Sequence, residues 1–148
     1  MTKINFWKDE EKTVLDHLLF STVAENFSKE IRKDHDEEKN EKGKNTYPNK
    51  PAQIRKFYDE IVRLNMEVKN SKKDKDAVWN NILPMVNMVT AKAAYARGRN
   101  LISENFLDFL RDQIQVIEKK EDLDIFTNFF EAFYGFYKLH GPQNWRSS

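Results

Sequence analysis

The chain has 148 residues, with 25 Lys and Arg against 24 Asp and Glu, three histidines and no cysteine. That length suffices for one domain with its own core, and the missing thiols exclude disulfides, thiolate metal sites and thiol nucleophiles. The first residues, Met1 to Glu10, carry no apolar signal-like region, and nowhere is there an apolar run of about 18 residues, so a soluble, cytoplasmic protein is expected.

Few glycines and prolines, with abundant Leu, Phe, Lys, Glu and Asn, favour an all-α fold: a compact bundle of about five helices in a single domain spanning residues 1–148. Charge is uneven along it. Residues 1–49 carry a net −2, residues 50–99 a net +6 and residues 100–148 a net −3. A basic middle between acidic ends suits a polyanion, or a head-to-tail contact between copies. Half of the excess comes from Lys72, Lys73 and Lys75 in a polar connector, where they need do no more than keep a loop solvated.

The first predicted helix runs from Asp9 to Ile31, with Val14, Leu15, Leu18, Leu19, Val23 and Phe27 at helical spacing. After it, residues 31–50 are almost wholly charged or polar and read as a mobile surface loop. The second helix begins near Pro51, capped by Asn49 or Lys50, and buries Ile54, Phe57, Tyr58, Ile61, Leu64 and Val68. The third covers Val78 to about Arg97, with Ile82, Met85, Val86, Val89, Ala93 and Ala96 inward. Pro84 within it must start the regular part or kink it. Ser103 caps the fourth helix, lined by Phe106, Phe109, Leu110, Ile114 and Ile117. The fifth starts near Glu121 or Asp122, runs to Leu139 and stops at Gly141-Pro142. Its face of Leu123, Phe126, Phe129, Phe130, Phe133 and Tyr137 reads as core. The tail 142–148, with Trp145 and Arg146, reads as loose.

Catalytic chemistry has no footing in this pattern. His17, His35 and His140 each lack another ligand-type residue at i+4 on an apolar helix face, so no metal and no cofactor is expected. No phosphate-cradling glycine loop and no nucleophile elbow occurs. A binding or assembly protein, not an enzyme, is the expectation.

The segment Thr90 to Arg99 carries the binding signal. At about 100° per residue, Lys92, Tyr95 and Arg99 fall on one edge of an alanine-rich helix. Cations beside a stacking ring suit a phosphate backbone with an exposed base. The same cations also suit the negative end of a helix, and Gly98 suits an ordinary helix stop.

Four segments together go further: Gln53-Ile54-Arg55-Lys56-Phe57-Tyr58, then Ile82 to Val86 leading into Ala91 to Arg99, then Phe106 to Leu110, then Phe129 to Lys138. In order and spacing they resemble the Csm small-subunit family of type III-A CRISPR effector complexes, over about Pro51 to Gly141. The first helix is similar only in being amphipathic, and the charged insertion after it departs from the family's compact connection. The resemblance implies a non-catalytic subunit that stacks in several copies into a minor filament. Its partners would be guide RNA, target RNA, the backbone and large subunits and other copies of itself, and no membrane. Contact would be with RNA backbone, without sequence specificity. Arg55, Lys56, Lys92, Tyr95, Arg97 and Arg99 are the candidate RNA-binding residues. Arg55 or Arg99 could instead pair with an acid such as Glu131, and Tyr95 could simply pack. The alternative function is a helical adaptor dimerising through the Phe-rich fifth helix; a metal-dependent phosphohydrolase fragment is the weaker third reading.

Overall fold

A computed structural model describes residues 3–38 and 47–146. They form an all-α bundle with no strand among them. A π-helical turn at Leu19–Val23 leads into α1 (Ala24–Glu37), followed by α2 (Pro51–Lys69), α3 (Lys75–Gly98), α4 (Glu104–Gln115), α5 (Lys120–His140) and the short α6 (Gln143–Arg146). Helix α5 packs against α1, α2 and α6, while α3 lies on α2 and α4.

The aromatic face of α5 is the core. Leu123, Phe126, Phe129, Phe130, Phe133 and Tyr137 are all buried. The phenylalanine rings meet Phe27 of α1 and Phe106 and Phe109 of α4 mostly at tilted or edge-on angles, with Phe133 stacked on Phe106, avoiding a face-to-face sandwich in most pairs. This consumes the face on which a dimerising adaptor would depend. The N3 residue Asp122 accepts from the Glu118 and Lys119 backbone N–H groups at 3.0 Å each and so fixes the start of α5.

The first helix starts later than its apolar spacing suggests. Asp9 accepts from the Thr13 and Val14 N–H groups and from the Thr13 hydroxyl, and Lys12 adopts a left-handed φ of 58°. Asp16 accepts from the Leu18 N–H at 2.9 Å. Short acidic side chains thus hold residues 9–18 in turns rather than helix. Val14 and Leu18 end up exposed, and only Leu15 of that stretch packs partly on the core.

The predicted loop is shorter than expected at both described ends. Arg32 to Glu37 continue α1, stapled by an Arg32–Asp36 ion pair of 2.9 Å at i,i+4 spacing. Residues 39–46 of that stretch lie outside the described residues. At its far end Asn49 is fully buried with a left-handed φ of 62°. Its amide donates to Ser103 Oγ at 2.9 Å and accepts from the Ser103 N–H at 2.8 Å. Its carbonyl accepts from the Tyr137 hydroxyl. Ser103 in turn donates to Asp34 at 2.8 Å while capping α4 through the Phe106 N–H. The cap of α2 therefore falls to Lys50, and Asn49 ties α1, the α3–α4 turn and α5 together.

The tail is docked through Arg146. Trp145 is buried against Tyr137 and His35, with the Arg32 guanidinium over its ring. Gly141 is required for this. A Cβ there would lie 2.1 Å from the Trp145 ring. Ser147 and Ser148 fall outside the described residues.

Candidate nucleic-acid interface

Helix α3 begins at Lys75, capped by Asp74, which accepts from the Asp76 N–H at 3.0 Å. Pro84 therefore lies inside the helix rather than opening it; the carbonyl that would have accepted its missing N–H belongs to an exposed residue, Asn80. The buried stripe is Trp79, Ile82, Val86, Val89, Ala93 and Ala96. Met85 does not join it. At about 70° from the centre of that stripe it stands at the margin, and it is 45% exposed. Met88 is 52% exposed and Tyr95 68%. These three alternate with Lys92 and Arg99 along one outward edge at spacings of three and four residues.

The end of α3 is formed by Asn100 rather than by Gly98. Asn100 has a left-handed φ of 61°, its N–H donates to Arg97 O at 2.9 Å, and the Leu101 N–H donates to Ala96 O at 3.0 Å. This is the paired-bond stop usually made by glycine, with asparagine in its place. Gly98 lies within the last turn with open space beside it.

The six residues singled out in the sequence have different surroundings. Tyr95 is not packed: it faces solvent, with the Arg99 guanidinium 5.8 Å from its ring centre. Arg97 is engaged, bonding Glu104 at 3.2 Å and the Ile102 carbonyl at 3.4 Å, which complements the negative end of α3. Lys92 reaches Glu60 of α2 at 3.3 Å. Arg55 makes a loose 3.6 Å pair with Asp59 and does not reach Glu131. Lys56 is exposed, and among the described residues it has no ion-pair partner.

The Glu60–Lys92 contact, together with the Asn49 N–H bond to Leu101 O, fixes α2 and α3 as antiparallel neighbours. The start of α2 and the end of α3 thus share one end of the bundle. The candidates divide between two flanks of α2. Arg55 turns toward the stacked Tyr58–Tyr134 pair on the α5 side. Lys56 lies about 100° away on the α3 side, and Arg63 stands at i+7 from it on the same flank. Arg63 is the residue that sequence reasoning missed. Its only signal was that seven-residue spacing from Lys56, and no periodicity in the chain says which polar flank of α2 will border α3.

Glu60 sits between these cations. It accepts from Arg63 at 2.9 Å and from Lys92 at 3.3 Å. The Arg63 bond is the largest influence on its carboxyl and, with the weaker Lys92 bond, overcomes desolvation and holds it below the usual carboxylate range. Arg63 also pairs with Glu67 at 2.5 Å.

The protein is thus an all-α bundle whose α5 aromatic face is spent on its core and whose outward α3 edge carries cations and exposed apolar side chains. The family model described as Csm2 Type III-A matches residues 29–143. The chain belongs to that family and is a small subunit of a type III-A CRISPR effector complex. The match begins within α1 and takes in more of the chain than the motifs in the sequence did. No curated protein and no solved structure matches the chain.

Proposed function

We propose that this subunit is non-catalytic, works in the cytoplasm, and stacks in several copies beside the backbone and large subunits and the guide RNA. On this reading its cationic edge holds the backbone of the target RNA without reading sequence. The observation that supports it most is the outward edge of α3, where Lys92 and Arg99 flank an exposed Tyr95. Phosphate contacts position a strand while base pairing elsewhere supplies specificity, so such an edge needs cations and one stacking ring but no base-reading pocket. With so few cations per copy, one subunit binds weakly and the array gains by repetition.

The test is fluorescence anisotropy of labelled single-stranded RNAs of unrelated sequence, titrated with the full chain across a range of salt. Weak, salt-sensitive binding with equal affinity for all sequences is expected. Lys92→Ala and Arg99→Ala should each weaken it uniformly and flatten the log–log salt slope by roughly 0.7 per lost phosphate contact. Tight, sequence-selective binding by the isolated subunit, or no salt-sensitive binding even in the assembled complex, would overturn the reading.

A further inference from the structure

The arrangement around Glu60 carries a consequence for how strongly that edge holds RNA, and it rests on the proposed RNA-contacting role. Four cations border the α2–α3 seam: Lys56 and Arg63 from α2, Lys92 and Arg99 from α3. Lys56 and Arg63 lie about 20° apart on one flank of α2, and Lys92 and Arg99 have the same seven-residue relation on α3. In the antiparallel pairing Glu60 stands opposite Lys92, and Lys56 lies one turn nearer the end of α3 that carries Arg99.

One carboxylate, that of Glu60, occupies two of these four. Its side chain is 22% exposed, against 49% for Arg63 and 52% for Lys92, so the acid is set in the seam and the cations stand proud of it. Each cation keeps donor capacity beyond its bond to Glu60, although Arg63 spends part of its own on Glu67 at 2.5 Å. Arg63 has five N–H donors and Lys92 three. A phosphate approaching from solvent meets the cations first, but their charge is already partly neutralised from below.

We propose that Arg63 belongs to the RNA-contacting surface and that Glu60 is its built-in counter-ion, which competes with RNA phosphates for Arg63 and Lys92 and thereby keeps the affinity of a single copy low. A weak grip per copy suits a subunit whose strand is held by repetition, because a tight one would let isolated subunits coat any single strand. Glu60 touches no RNA in this account; it acts through the two side chains it holds.

Glu60→Gln removes the charge while keeping the size of the side chain and an acceptor for both cations. It is compared with wild type, Arg63→Ala, Lys92→Ala and the double variant Glu60→Gln with Lys92→Ala, each as the full chain. The probe is a labelled oligouridine titrated at several salt concentrations, with a thermal melt of every variant. Glu60→Gln is expected to bind about three- to tenfold tighter at low salt, with a slope steeper by up to roughly 0.7, chiefly through Lys92, because Glu67 still holds Arg63. Arg63→Ala should bind more weakly, and the double variant should lose at least part of the gain. If wild type binds and Lys92→Ala weakens it while Glu60→Gln leaves affinity unchanged or lowers it, Glu60 is only a helix–helix tie and the inference fails alone. If Arg63→Ala leaves both affinity and slope at wild-type values, Arg63 is outside the surface and the proposal is likewise overturned. If neither wild type nor Glu60→Gln binds, alone or in the assembled complex, the RNA-contacting role itself falls.

Discussion

Helices α5 and α3 are both long and both carry large apolar side chains, yet they use them in opposite ways. In α5 the rings of Phe126, Phe129, Phe130 and Phe133 are fully enclosed by α1, α2 and α4. In α3, beyond Trp79 and Ile82, the enclosed stripe is built of smaller side chains, Val86, Val89, Ala93 and Ala96, and the larger Met85, Met88 and Tyr95 stand outside. The difference follows from position in the bundle. A central helix is contacted around much of its circumference, so most apolar positions find a partner. A peripheral helix is contacted on one side, so side chains as little as about 70° off that side reach solvent. Small residues on its inner face let α3 lie close to its neighbours and leave its outer edge for contact with something else.

The sharpest way to break the comparison is to empty the centre. Phe130→Ala and Phe133→Ala should each cost about 3–5 kcal/mol in a denaturant titration, the range for truncating a buried ring. A cost near zero for both would mean that α5 is not central.

Asn49 comes next, because it joins the end of α3 to the tail of α5. Asn49→Ala would leave the Ser103 hydroxyl and backbone N–H short of partners and place alanine at a left-handed backbone position. A loss of about 2 kcal/mol is expected by chemical denaturation. Wild-type stability would show that the buried network is not load-sharing between the two helices.

The glycines after α5 and within α3 give a matched pair. Gly141→Ala drives a Cβ into the Trp145 ring and should destabilise by about 1–3 kcal/mol, with altered tryptophan fluorescence as α6 lifts. Gly98→Ala meets nothing and sits in a helical turn, so it should stabilise by roughly 0.5–1 kcal/mol. Equal effects in the two variants would erase the distinction between a crowded centre and an open edge.

The smallest effect concerns charge at the α2–α5 contact. Desolvation is the largest influence on Asp124 and raises its pKa, but the bonds from Lys69 at 2.6 Å and Asn65 at 3.0 Å together leave it lowered. A depressed carboxyl binds fewer protons folded than unfolded, so its stabilisation is present above the unfolded pKa near about 4 and is lost as pH falls through the folded value. Asp124→Asn should cost no more than about 1 kcal/mol at pH 7, since the pair is partly exposed. The variant's stability should also fall less steeply than that of wild type between about pH 5 and 3. Parallel pH profiles would mean that the contact contributes nothing.

What was readable beforehand follows the strength of the local signal. The stripes of α2, α4 and α5 were visible as runs of Ile, Leu and Phe at helical spacing, and the Ser103 cap was visible as a hydroxyl one step before such a run. The start of the chain misled because Val14, Leu15 and Leu18 have helical spacing while Asp9 and Asp16 bond the backbone into turns. Arg32 to Glu37 misled in the opposite sense. A stretch with almost no apolar face stays helical because it extends α1 and carries its own ion pair.

The residue sequence by itself determined that this is a helical bundle with an aromatic centre and one helix edge bearing Lys92, Tyr95 and Arg99, because helical periodicity puts those residues together before any packing occurs. Tertiary structure alone decided what that edge borders. Glu60 and Lys92 are 32 positions apart and meet only because α2 and α3 pack antiparallel, and the same packing turns Arg63 toward the edge and Arg55 away from it. Which flank of a polar helix meets its neighbour is set by the apolar stripes of both helices at once, so no single stretch of sequence carries that information.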